Sequence, residues 1–168
     1  MDEEELVSRR HPVEEDMRMQ QRVWRFERVG WYALVLVVLL ALAGVFGNGP
    51  LSDAQVTSED GRLHVEYQRL SRTGTTDNLR ITVRGTAGEP VMLLLGGTLL
   101  REASIETLQP EPQVSRSHGR SLLLQLGTSK EGIATLYLTL RSEHVGTLDG
   151  VVSAGPDSTV HFSTFLYP

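Results

Sequence analysis

The chain has 168 residues, a formal net charge of -5 and a pI near 5.5, so it carries no basic excess that would draw it to nucleic acid through counterion release. It contains no cysteine, which excludes disulfides, thiolate metal sites and a thiol nucleophile. One apolar stretch near the start leaves residues 48–168 for a single domain that must hold by its core alone.

Residues 1–28 read as a cytoplasmic arm, partly helical. It opens on Asp2, Glu3, Glu4 and Glu5, breaks at Pro12, and continues in good helix formers up to Arg28. Met17, Val23, Trp24 and Phe26 do not form a clean helical stripe, which argues against a coiled coil. The arm is expected to extend a membrane helix into the headgroups with its arginines against anionic lipid; the alternative is a docking peptide for a cytoplasmic partner.

Residues 29–47 contain no charge and no strongly polar group. At 1.5 Å per residue a helix of that length covers about 28 Å, close to the hydrocarbon thickness, and predicts a single transmembrane helix. A buried helix of a soluble protein normally keeps a polar stripe, which this segment lacks. Arg18, Arg22, Arg25 and Arg28 crowd the N-terminal flank, whereas the first cation after the stretch is Arg62. The positive-inside rule then places the N-terminus in the cytoplasm and the long C-terminal part outside. The membrane-interface residues expected at the cytoplasmic end are Arg22, Trp24, Arg25, Arg28, Trp31 and Tyr32, with the bilayer as their partner. A cleaved signal peptide competes, because Ala41-Leu42-Ala43 is a small-x-small site. The long acidic arm favours an uncleaved signal anchor instead. Ala43 and Gly47 make one small-x-x-x-small pair, a spacing too common to argue self-association.

Asn48-Gly49-Pro50 is a helix stop, and residues 48–61 read as a linker and first turn. The remainder, residues 62–168, shows short period-2 segments. Leu63, Val65 and Tyr67 alternate with polar residues, as do Leu79, Ile81 and Val83, and both predict half-buried strands. Residues 90–95 are continuously apolar, as expected of a strand covered on both faces. Residues 98–107 read as a helical turn leading into a short strand around residues 105–108, closed by Pro110 and Pro112. Residues 122–126 follow a turn at His118-Gly119, and Ala134, Leu136, Leu138 and Leu140 line one face of another strand. Residues 146–150 read as a turn. The last strand, residues 160–167, is apolar on both faces, which implies either a central place in a sheet or a docked face.

About seven short strands without a long amphipathic helix predict a mainly β domain: an antiparallel β-sandwich of immunoglobulin or fibronectin-III type, with a small β-barrel as the alternative. In layout the chain resembles bacterial single-pass inner-membrane proteins that carry a small periplasmic β-domain. That resemblance, with Asn48 and Asn78 both outside a glycosylation acceptor, implies the bacterial inner membrane and periplasm.

The histidines, His11, His64, His118, His144 and His161, have no metal-ligand spacing, although His64 with Glu66 and His161 with Ser163 share strand faces. No nucleophile elbow, phosphate loop or zinc-protease motif occurs, and neither a catalytic residue, a cofactor nor a metal is expected. Arg80 with Arg84, and Arg116 with Arg120, are candidates for a cationic patch or for plain solvated sheet face. The expectation is a non-enzymatic accessory domain that binds another envelope protein. The alternatives are a transmembrane regulator that senses a periplasmic ligand and, behind it, a tethered hydrolase.

Overall fold

A computed structural model describes residues 17–42 and 52–168, and falls into two units, residues 1–40 and 41–168. The acidic start of the arm, the Pro12 break, the Asn48-Gly49-Pro50 stop and the Ala43/Gly47 pair lie outside the described residues.

In the first unit helix α1, Met17–Leu42, runs from the arm into the apolar stretch without interruption. Among the described residues no helix is long and apolar enough to cross a membrane. The helical part of the expected span, residues 29–42, measures about 21 Å against a hydrocarbon core of about 30 Å. The preceding turns hold Arg22, Arg25, Glu27 and Arg28, and residues 43–47 lie outside the described residues.

The second unit is a β-sandwich. Eleven strands are described: β1 Asp53–Thr57, β2 Leu63–Gln68, β3 Leu70–Arg72, β4 Thr76–Arg84, β5 Val91–Gly97, β6 Ala103–Gln109, β7 Val114–His118, β8 Ser121–Leu126, β9 Ile133–Ser142, β10 Gly146–Ser153 and β11 Thr159–Tyr167, with the short helix α2, Leu99–Glu102, before β6. They form two separate sheets rather than one barrel, ordered β1-β2-β4-β9-β6 and β3-β11-β10-β5-β8-β7. Every pair is antiparallel except β3 with β11, which is parallel, so the second sheet is mixed.

Period-2 patterning accounts for the core. Leu63 and Val65, Leu79, Ile81 and Val83, and Ala134 to Leu140 at alternate positions all point inward from the first sheet. They meet Leu93, Leu95, Leu124, Leu126, Leu148, Val152, Phe162 and Leu166 of the second. Each fully buried leucine of this set contributes roughly 1.5–3 kcal/mol relative to exposure.

Four expectations need correction. The expected linker contains β1, whose Ala54 and Val56 face inward while Asp53, Gln55 and Thr57 face solvent, a pattern too polar to stand out. Residues 146–150 are not a turn but the first part of β10, because both glycines sit in ladder positions opposite β11. Strand β5 is covered on one face only, and Met92 on the other is 44% exposed. The strand count is eleven rather than about seven because β1, β3 and β7 are short and weakly apolar and β10 carries the glycines read as a turn.

Strand β2 pairs with β4 only as far as Glu66 opposite Arg80. Beyond it the chain turns through Arg69 into β3 of the other sheet, pinned by Arg69 N–H to the Ser52 carbonyl at 2.7 Å and Phe165 N–H to the Arg69 carbonyl at 2.8 Å. The Thr164 hydroxyl adds a bond to the Gln68 carbonyl at 2.9 Å. This change of sheet pulls the end of β2 away from β4.

Candidate binding face

The gap left by β2 opens a depression of about 650 Å³ on the outer face of the first sheet, between Asp53, Gln55 and Gln68 on one side and Asn78, Arg80 and Tyr137 on the other. One row of outward side chains crosses the sheet here. Gln55 pairs with Glu66, Glu66 with Arg80, Arg80 with Tyr137, and Tyr137 with Gln109. Tyr137 is 51% exposed at the middle of the long strand β9, whose inward neighbours Leu136 and Leu138 are buried. Arg80 is held from both sides: its Nη1 lies 3.4 Å from Glu66 Oε1, and its guanidinium carbon lies 5.6 Å from the Tyr137 ring centre. Cation–π attraction operates at that range. His64 continues the polar face, 2.8 Å from the Thr57 hydroxyl and 3.6 Å from Glu66.

Of the pair Arg80 and Arg84, Arg80 is held in an ion pair with Glu66, while the Arg84 carbonyl accepts a hydrogen bond from Arg62 Nε at 3.2 Å. Arg116 stands on β7 at the far edge of the other sheet, so the two arginine pairs are not brought together. His161 and Ser163 lie exposed on β11, and among the described residues no group of three His, Cys, Asp or Glu side chains is placed to hold a metal.

On α1 the expected interface residues lie on one broad side of the helix. Trp24, Arg28, Trp31 and Tyr32 share one helix face and line a shallow hollow, with the Arg28 guanidinium 4.0 Å from the Trp24 ring centre. Arg25, seven residues before Tyr32 and three before Arg28, borders the same face, and Arg22 lies a turn earlier beside it. Trp24, Trp31 and Tyr32 are all more than half exposed.

Tyr137 does not stand out in the sequence, because the alternating leucines of the same strand dominate its pattern. The available signal was an aromatic residue at an outward position of a strand whose inward face is complete.

No protein-family model matches the chain, and no curated protein matches it. Among solved structures it is similar to a cohesin module from a family 33 glycoside hydrolase of Clostridium perfringens, at 13% identity and a TM-score of 0.42, over 66% of this chain and 98% of that one. It is also similar to a β-glucosidase from Listeria innocua, in complexes with glucose and with isofagomine, at 12% and 11% identity and TM-scores of 0.38. These matches cover 74% and 72% of this chain, which spans only 17% of the β-glucosidase.

Proposed function

We propose that the chain is a non-enzymatic accessory domain of the bacterial inner membrane. Residues 29–47 span the bilayer as an uncleaved anchor, the N-terminus is cytoplasmic, and the sandwich, immunoglobulin-like or fibronectin-III-like in plan, stands in the periplasm and pairs with another envelope protein. Support for the anchor comes from α1, where Leu34, Leu36, Val37, Val38 and Leu39 are exposed on every side of the helix. A helix apolar all round needs a non-aqueous cover, and Arg22, Arg25 and Arg28 at its start favour lipid.

The observation that carries the partner is the edge strand β6. No strand lies beyond it among the described residues, and Ile105, which faces the core side, is left 36% exposed there. An added strand would satisfy the backbone groups of that edge and cover Ile105, the mode of recognition by β-augmentation. The test places a photo-cross-linking amino acid at Ser104 of the full chain in cells. The expected result is one stoichiometric envelope-protein adduct that disappears in Ile105→Lys. Equal labelling of many proteins, or an adduct indifferent to Ile105→Lys, would refute the edge as the contact.

A second reading, a regulator that relays a periplasmic signal, is favoured by the unbroken run of α1 from the arm into the apolar stretch. Deleting residues 1–16 would then abolish function while leaving the sandwich folded.

A further inference from the structure

We propose that the depression beside Tyr137 binds a neutral saccharide chain. The site is distinct from the β6 edge and goes beyond the accessory role just described.

Its shape comes first. About 650 Å³ falls within the roughly 300–1,000 Å³ of small-molecule sites, but the depression is open along the sheet rather than enclosed. From β1 to β9 it crosses three strand spacings, about 14 Å, which suits an extended chain better than a compact ligand.

The lining chemistry narrows the class. A sugar ring presents C–H groups on its faces and hydroxyls around its rim, so it is recognised by an aromatic surface together with planar groups that bind hydroxyls in pairs. Tyr137 supplies the half-exposed aromatic surface. Gln55, Glu66, Asn78 and Arg80 supply carboxamide, carboxylate and guanidinium groups around it. The Glu66–Arg80 contact and the neighbouring Tyr137 ring fix the guanidinium in place, which lowers the ordering cost of binding.

Charge excludes the main competitors. Arg80 is already paired with Glu66 and Asp53 adds a second carboxylate to the lining, leaving no surplus cation to select a phosphate or a sulfate. No carboxylate group is arranged there to hold a metal among the described residues. Ala54, Tyr67 and the buried Leu79 and Leu138 also line the depression, so its exposed apolar surface centres on the Tyr137 ring inside a polar rim rather than on the broad apolar centre of a protein interface. A hydroxyl-rich neutral ligand matches every part.

The experiment uses the full chain, purified in a detergent with no sugar headgroup, titrated calorimetrically with cellohexaose, chitohexaose and maltohexaose. At least one should bind with a dissociation constant between about 10 μM and 1 mM. Tyr137→Ala should weaken it by about tenfold or more, Asn78→Ala should weaken it in the same direction, and Tyr137→Phe and Ile105→Lys should leave it nearly unchanged. Because Tyr137 and Asn78 are exposed, unchanged thermal unfolding of the variants separates lost contacts from lost fold. Absence of binding by all three hexasaccharides, or binding indifferent to both Tyr137→Ala and Asn78→Ala, overturns the proposal. The cross-linked protein adduct is read separately at Ser104, so the two readings fail independently.

Discussion

Phe162 lies directly over Gly150, its cross-strand partner, so that a methyl group on Gly150 would come within 2.7 Å of the ring's Cε2. The ring is 6% exposed and packs against Tyr67 of the opposite sheet with centroids 4.8 Å apart. The absent side chain on β10 thus makes the space that an aromatic on β11 uses to close the core between the sheets.

Gly150→Ala should therefore destabilise the sandwich through overpacking, by about 1–3 kcal/mol. Phe162 cannot yield outward without losing the Tyr67 contact. Urea unfolding followed by far-UV circular dichroism measures the loss. An unchanged midpoint would show that the ring relocates freely.

Asp60 joins the two sheets at one end of the sandwich. Its carboxylate accepts hydrogen bonds from the Ser158 and Ser58 hydroxyls and from Arg62 N–H. Ser158 belongs to the β10–β11 connection and Ser58 to the β1–β2 turn, and both are buried. These hydroxyls, Ser158 foremost, hold the carboxyl at about 2, below its ordinary 3.8. A depressed acid stabilises the fold above its unfolded pKa and loses that contribution as pH falls through the folded one. Asp60→Asn should lower the melting temperature at pH 7, and the gap from the parent protein should close between about pH 4 and pH 2. A constant gap across that window would deny the carboxylate its part.

Asp77 shifts the opposite way. Half-burial raises its pKa, with the Ser71 hydroxyl bond opposing the rise only in part. A raised acid stabilises the fold below its unfolded pKa and loses that contribution as pH rises through the folded one, so at neutral pH the ionised form is a cost. Asp77→Asn keeps an oxygen for Ser71 and removes the charge. It should raise the melting temperature at pH 7 and make no difference well below pH 4, as differential scanning calorimetry would record. Destabilisation at pH 7 would mean that the charge itself is needed by Ser71.

The strands of the first sheet are legible in the sequence because Leu79, Ile81 and Val83, and Leu136, Leu138 and Leu140, alternate strictly with polar residues over one buried face. The same criterion fails for β10. Its glycines, Gly146 and Gly150, resemble turn residues, and only the position of Phe162 on a distant strand explains why Gly150 lies inside a sheet. It fails again for β1, where Ala54 and Val56 alone mark the inward face. The depression beside Tyr137 is less legible still, since it arises from the change of sheet between Gln68 and Leu70, a tertiary event with no local pattern. What the sequence does carry is the outward aromatic. Its meaning depends on Arg80 and Glu66, which lie 57 and 71 positions earlier in the chain.

The membrane orientation proposed from the arginine flank can be checked without background, because the chain contains no native cysteine. Arg18, Arg22, Arg25 and Arg28 crowd the flank before residue 29 and the next cation is Arg62, so the proposed topology keeps the cationic side in the cytoplasm and exports the sandwich. Ser153 lies at the end of β10 and is partly accessible, whereas Ser8 belongs to the arm. In cells with a permeable outer membrane and an intact inner one, a membrane-impermeant maleimide should label Ser153→Cys and spare Ser8→Cys. Lysis should then make Ser8→Cys reactive as well. Labelling of Ser8→Cys alone before lysis would invert the topology and remove the periplasm as the proposed place of the sandwich. Labelling of both before lysis would mean that residues 29–47 do not hold the two ends on opposite sides.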